Sequence, residues 1–391
     1  MGQHARLATL LFFLTLLFGI TVPGSAQTRV DNPARALSKN AGRVIHLEEV
    51  LRIRDDGEKA IFKSPRHFAL GPDRSLYFVD FAEGPRLYRY GADGKLISKL
   101  LKNGQGPGEC QNASHYVVEG NSIRVLSWIP PKIMDFSPDG RYLREQRVEE
   151  DSHGLWFLGT AGGKIYGIRD EVFSSGAFRS EGVSTIPNGV YEISPDFETW
   201  KKIYEFPVRM VIKRSRGAFR LDPIDAVIHG TALFILHTAE YRVIELDLRS
   251  GGVKRVISRD YDRVRGKTAK ATDTDPETRG IEFPDDPYVW DIDKIHATPG
   301  RLWVFTSVMK SDGNDHLVDI FDAEGRFVDS VILRYPPGGR DHRFLARWTL
   351  MTDDGFFFVP EQEEDGLVSI GKYRIPDANL FPTGTMPKRT P

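Results

Sequence analysis

Five side chains of the kinds that bind metal ions recur at one place in a repeated strand pattern. His67, His115 and Asp293 stand about eight or nine positions before a short apolar strand, and His153 and Asp225 stand close to the same place. Imidazole and carboxylate groups brought to one level could hold a divalent ion, zinc or calcium, and leave a position open for water or substrate. Such a site would make the chain a metal-dependent hydrolase or lyase. The alternative is that each histidine hydrogen-bonds a carbonyl group or a water molecule. An error of one residue in the strand count would also turn a side chain to the other face of its strand.

A second group of side chains suits an organic ligand. Arg347 stands at the same place in the pattern and Arg66 stands one residue before His67, and either could hold an anionic group. Trp128, Tyr288 and Trp290 lie in loops that combine aromatic with polar residues. Exposed tryptophan and tyrosine are frequent at binding hot spots, so these five residues predict a site for a glycan, peptide or protein ligand. The alternative is that the rings pack between structural units.

Several other kinds of chemistry find no support. Lysine and arginine total 53 against 54 acidic residues, and they are scattered, which argues against nucleic acid as a partner. The glycine-rich run 104–109 precedes a predicted strand, whereas a phosphate cradle opens a helix, so we interpret it as a structural loop. No serine nucleophile elbow and no calcium-loop spacing is present.

The elements that must position these residues are repeated hairpins. An aromatic strand end followed by a turn, an acid, Gly and a basic residue occurs at 90–95, 136–141 and 321–326, with looser copies near 193, 246 and 373. Gly at such a turn takes a positive φ, and the acid beside it bonds the local backbone. Short runs of β-branched and aromatic residues precede each turn, and helical periodicity is absent.

The spacing of the six strand ends predicts a six-bladed β-propeller, all-β, with four antiparallel strands per blade. The ends fall at 90, 136, 193, 246, 321 and 373, which suits blades of roughly 40 to 50 residues. The last repeat has only three strands, and the strand Val44–Ile53 has no partner before it. We therefore expect the N-terminal strand to complete the last blade and close the ring. The segment 258–286 is charged and is expected to be a surface insertion.

The chain termini and the cysteine content predict the compartment. Residues 1–26 combine a weakly basic start, an apolar run and small residues before Gln27, which is typical of a cleaved signal peptide. The single cysteine, Cys110, excludes an internal disulfide and a lipid anchor at the cleavage point. We expect an N-terminal linker at 27–42, the propeller at 43–376 and a tail at 377–391. The product is expected to be a soluble periplasmic or extracellular monomer without a membrane span.

The run Gly104–Glu109 and the hairpins ending in Asp-Gly resemble motifs of exported bacterial six-bladed propellers related to NHL-repeat proteins. The resemblance covers nearly the whole mature chain and implies the fold, while its motifs are structural and imply no chemistry. Two functions remain open. One is an exported scaffold that binds a glycan, peptide or protein through one face of the ring without catalysis. The other is a lactonase-like or lyase-like metalloenzyme with its site in the central channel.

Overall fold

A computed structural model describes eleven stretches of the chain, which include most of the predicted strands. They are 27–54, 62–82, 84–148, 154–172, 176, 181–213, 217–266, 284, 286–309, 315–336 and 348–381. The predicted signal peptide, His153, Arg347, most of the charged insertion and residues 382–391 lie outside these stretches. The secondary structure within them is strand, apart from a short 3-10 turn at Ala378–Leu380.

The strands form six sheets around a central axis, as the hairpin spacing predicts. Three strands precede the first blade: β1 (Thr28–Asn32), β2 (Arg43–His46) and β3 (Glu48–Arg54). Blade one contains β4 (Arg66–Leu70), β5 (Leu76–Asp80), β6 (Arg86–Tyr90) and β7 (Leu96–Leu100). Blade two contains β8 (Asn112–Glu119), β9 (Ser122–Ile129), β10 (Pro131–Phe136) and β11 (Tyr142–Arg147). Blade three contains β12 (Leu155–Ala161), β13 (Lys164–Asp170), β14 (Gly182–Ile193), β15 (Trp200–Lys213) and β16 (Gly217–Arg220).

The remaining blades follow the same antiparallel order from the inside outward. Blade four contains β17 (Asp225–His229), β18 (Ala232–Leu236), β19 (Arg242–Asp247) and β20 (Gly252–Arg259). Blade five contains β21 (Ile292–Thr298), β22 (Arg301–Met309), β23 (Asp315–Asp322) and β24 (Phe327–Arg334). Blade six contains β25 (Leu350–Met351), β26 (Phe356–Gln362) and β27 (Val368–Arg374). The innermost strands β4, β8, β12, β17, β21 and β25 contact one another in that order.

The N-terminal strands close the ring, as predicted. β3 pairs antiparallel with β27, with Ile53 opposite Ile370, and supplies the missing fourth strand of blade six. The predicted strand Val44–Ile53 is divided at Leu47, because β2 pairs parallel with β24 in blade five. β1 likewise pairs parallel with β20 in blade four, so the strap 28–54 runs along the outer edges of three blades.

The strap includes residues that sequence analysis assigns to a linker. An added edge strand needs only its backbone to pair, so its side chains need not follow an apolar pattern. β1 is short and polar, and the sequence therefore gives no strand signal for it. Asn32 then joins two blades: its Nδ2 donates to the carbonyls of Ser258 and Gly325 (3.0 Å each), and its Oδ1 accepts from the Phe327 amide (2.8 Å). The N-terminal segment is therefore part of the scaffold.

The hairpins and the glycine-rich loop are built by local backbone chemistry. Gly94, Gly140 and Gly325 all have positive φ, between 79° and 90°, as their turns require. In the loop 104–109 the backbone wraps the carboxylate of Glu109, whose Oε2 accepts from the Gly106 amide at 3.1 Å. A Cβ at Gly104 would lie 2.1 Å from that oxygen, so a larger residue there would displace the Glu109 carboxylate.

The hydrophobic core lies between neighbouring blades rather than at one centre. Tyr77 and Leu87 of blade one pack against Met134 and Phe136 of blade two, and equivalent clusters follow around the ring. The cluster that includes Phe78 and Ile370 joins blades one and six. Because packing is lateral, the axis is left to polar and aromatic side chains.

Candidate functional site

A cavity of about 810 Å³ opens at the face of the ring where the innermost strands begin. All six blades contribute lining residues. Its size lies in the range of pockets that hold small organic ligands. Four of the six tryptophans of the chain line it: Trp128, Trp156, Trp290 and Trp348.

Most of the predicted site residues that the structure describes lie at this cavity. Those brought together there are Arg66, His67, His115, Trp128, Asp225, Trp290 and Asp293. Tyr288 is not among the lining residues; its ring lies under the Arg263 guanidinium, with Cζ 4.7 Å from the ring centroid. His153 and Arg347 lie outside the described residues. The roles assigned to all of these residues remain predictions.

Aromatic and imidazole rings form a continuous wall across blades one to three and six. The His67 ring centroid lies 4.2 Å from that of His115 and 4.6 Å from that of Trp348. The His115 ring stacks on Trp156 at 6.3 Å with an interplanar angle of 12°. On Trp156 also lies the Arg220 guanidinium, with Cζ 3.6 Å from the ring centroid, a close cation–π contact.

The backbone at the start of β4 is shaped to present two successive side chains to the cavity. His67 has φ of 55°, a left-handed conformation that is uncommon outside glycine, and the pairing of β4 with β5 is irregular between Arg66 and Ala69. The hydroxyl of Tyr116 donates to the His67 carbonyl and holds this bulge. Bulges near functional sites redirect side chains in this manner. Both Arg66 and His67 therefore line the cavity.

Burial keeps His115 of the cavity wall neutral at physiological pH. It lowers the pKa of His115 well below its usual value, and the neighbouring His67 and Arg220 add to the effect. Among the described residues the Nδ1 atom of His115 has no hydrogen-bond partner. A neutral imidazole both donates and accepts a hydrogen bond, which suits a hydroxyl-bearing ligand.

The opposite side of the cavity carries charges that are satisfied within the protein. Asp225 Oδ1 accepts from Lys294 Nζ and Oδ2 from the Ile295 amide, both at 2.7 Å. These contacts give each carboxylate oxygen of Asp225 a hydrogen-bond donor from the protein, without a metal ion. Among the described residues, no three histidine, cysteine, aspartate or glutamate side chains are grouped as a metal site would require. The predicted ion therefore remains a hypothesis without a described ligand set.

Arg66 differs from the other cations of the cavity. Its Nε donates to Ser64 Oγ at 3.1 Å, and its Cζ lies 5.8 Å from the ring centroids of both Phe81 and Trp348. No ion pair joins it to a carboxylate in the part of the chain that the structure describes. The side chain is half-buried at the cavity wall.

Sequence reasoning did not assign Arg220, Trp348 or His316 to the site. Trp348 is the neighbour of the predicted Arg347, so a shift of one position in the strand count separates the two. His316 is the second residue of the third strand of blade five, where the pattern gives no sign of the channel. It is buried, its ring nitrogens have no hydrogen-bond partner among the described residues, and burial lowers its pKa to about 4.

The indole nitrogens of two lining tryptophans are used differently. Trp290 Nε1 donates to the Leu221 carbonyl at 2.9 Å, which fixes that ring between blades three, four and five. Trp128 Nε1 is buried and has no hydrogen-bond partner among the described residues. Trp290 is therefore also a structural residue, and Trp128 is the less constrained of the two.

Comparisons with known proteins agree on the fold. Residues 72–161 match DUF5128, a family of six-bladed β-propellers. No curated protein sequence is significantly similar to the chain. No helix among the described residues is long and apolar enough to cross a membrane.

Three solved structures are similar to the chain at low identity, and one of them superposes well enough to support the fold. A putative exported protein from Bacteroides fragilis superposes with a TM-score of 0.55 and 14% identity, over 90% of this chain and 100% of the other. The WD40 propeller domain of Doa1 gives 0.40 and 9% (86% and 99% covered), and YCF48 bound to D1 peptide gives 0.43 and 8% (86% and 98% covered). The NHL-repeat relation stays a prediction. The chain is an all-β six-bladed propeller, and the DUF5128 match and the likeness to the Bacteroides fragilis protein support its place in a propeller family.

Proposed function

We propose that this chain is an exported binding protein whose propeller holds a small glycan or peptide segment in the cavity at one face of the ring. The concentration of four of the six tryptophans at that cavity carries the proposal. In a protein whose other aromatic rings largely pack between blades, four half-buried indoles around one opening supply flat apolar surface where a ligand can reach it.

The volume of the cavity limits the size of the ligand. A volume of about 810 Å³ accommodates two or three sugar rings or a few amino acid residues, whereas a folded protein partner would contact only the rim. Polar groups placed among the rings, such as His115 and Asp293, would fix the ligand's orientation. The apolar run at residues 1–26 and the exported Bacteroides fragilis neighbour support export.

Screening the purified chain against glycan and peptide arrays, followed by calorimetry on the best ligand, tests the proposal. We expect Trp128→Ala and Trp348→Ala each to weaken that ligand by about 30-fold, since a buried aromatic anchor is worth about 2 kcal/mol or more. Trp200→Ala is the matched control, because Trp200 is half-buried in blade three but does not line the cavity. Thermal melting confirms that each variant is folded.

The proposal fails if no array member binds. It also fails if the cavity variants bind the best ligand as the wild type and Trp200→Ala do.

A further inference from the structure

We infer that the ligand is an acidic oligosaccharide and that Arg66 binds the carboxylate of one of its sugar residues. This inference rests on the proposed function and adds the chemical class of the ligand. It is carried by the difference between Arg66 and every other cation that lines the cavity.

The other cavity cations already have carboxylate partners. Arg220 forms an ion pair with Asp170 at 2.5 Å, and Lys294 forms one with Asp225 at 2.7 Å. Arg66 bonds only a neutral hydroxyl, Ser64 Oγ, through its Nε. In the described residues its terminal nitrogens therefore keep their donors for a ligand, and a guanidinium presents these donors in a fork that matches a carboxylate.

The Arg66 side chain is held in place before any ligand arrives. The buried carboxylate of Asp80 accepts from the backbone amides of Ser64 (2.7 Å), Lys63 (3.1 Å) and Ala82 (2.7 Å). Ser64 in turn accepts from Arg66 Nε, and the guanidinium lies between the rings of Phe81 and Trp348. A prepositioned guanidinium loses little conformational entropy on binding, so Asp80 and Ser64 are positioning residues for it.

A single guanidinium favours a singly charged group. Among the described lining residues Arg66 is the cation without a carboxylate partner, and its fork of donors matches one carboxylate, whereas a phosphate would bring a second charge beside neutral histidines such as His115. The surrounding surface favours a sugar over a peptide. A sugar ring presents an apolar face to the indoles and a rim of hydroxyls that donate and accept, as the neutral imidazoles also do.

The test uses pairs of ligands that differ only in charge. Oligosaccharides of galacturonic, glucuronic and mannuronic acid are titrated calorimetrically beside their carboxyl-reduced counterparts, with tri-glutamate as an acidic peptide. We expect one acidic saccharide to bind the wild type about 10- to 100-fold more tightly than its reduced partner. Arg66→Gln should remove that preference, so that the acidic saccharide and its reduced partner bind the variant about equally. Arg66→Lys should retain part of the preference.

The matched control is Arg144→Gln, which removes a mostly exposed guanidinium from the outer strand of blade two and should leave both affinities unchanged. Melting temperatures confirm folding of all three variants. An acidic saccharide that binds no better than its reduced partner overturns the inference, and so does a preference that survives Arg66→Gln or tighter binding of tri-glutamate. If the reduced saccharides still bind and Trp348→Ala abolishes that binding, the proposed function stands while this inference fails. If no saccharide or peptide binds, both fail.

Discussion

The two sides of the cavity hold their charged groups in different surroundings. On the side of blades one to three and six, cations lie against aromatic rings: Arg66 lies near Phe81 and Trp348, and Arg220, which also pairs with Asp170, lies over Trp156. On the side of blades four and five, Asp225 and Lys294 neutralise each other. We call these the aromatic wall and the ion-paired wall. The walls differ in their cations: Asp225 neutralises Lys294 on the ion-paired wall, whereas no described carboxylate pairs with Arg66 on the aromatic wall. This difference is the basis of the proposal that the aromatic wall binds a ligand.

We expect the largest loss of unfolding free energy from Arg220→Met on the aromatic wall. The substitution leaves the buried Asp170 carboxylate without its cation and removes the cation from Trp156. Loss of one partner of a buried pair costs about 3 kcal/mol of unfolding free energy, measured by chemical denaturation. Arg144→Met, which breaks a pair whose arginine is largely exposed, should cost under about 1 kcal/mol. Equal losses in the two variants would contradict the distinction.

A pH titration of stability tests the buried histidines that face the cavity. Burial lowers the pKa of folded His316 to about 4, whereas in the unfolded chain it is near 6.5. The unfolded state therefore takes up a proton first, and the stability is present above pH 6.5 and lost as the pH falls towards 4. We expect wild type to lose about 2–3 kcal/mol more than His316→Leu between pH 7 and pH 4.5. Parallel denaturation curves for the two proteins would show that His316 titrates normally.

The smallest effect is expected from Asp225→Asn on the ion-paired wall. The amide oxygen can still accept from the Ile295 amide, but Lys294 loses its anionic partner, so unfolding free energy should fall by about 1–2 kcal/mol. Affinity for the ligand should stay within about twofold, because this pair is satisfied inside the protein. A large loss of affinity with unchanged stability would place the ligand on this wall instead.

Much of the scaffold follows from the sequence because each hairpin is specified locally. The turns at Gly94, Gly140 and Gly325 need a residue tolerant of positive φ, and a repeat of that signal gives six blades. The lone N-terminal strand predicts the closure through β3. β1 was not predicted, since a parallel edge strand that pairs only through its backbone leaves no apolar pattern in Thr28–Asn32.

The candidate site follows from the sequence only in part. Counting back from each second strand locates His67, His115, Asp225 and Asp293 at the cavity, because the innermost strands of all blades share one register. The residue that the count gives for blade six, Arg347, lies outside the described residues, and its neighbour Trp348 lines the cavity. The count cannot find His316 or Arg220, which reach the cavity from other strands of their blades. Pairing of charges, which separates Arg66 from Lys294, depends on contacts between blades and has no local signal.

A crystal structure of the chain with the tightest ligand from the array would show directly whether the aromatic wall binds an acidic saccharide. We expect a saccharide ring in the cavity against Trp348 or Trp156, with its carboxylate within hydrogen-bond distance of Arg66. A ligand bound at the outer strands, at the opposite face of the ring or against Asp225 and Lys294 alone would contradict it.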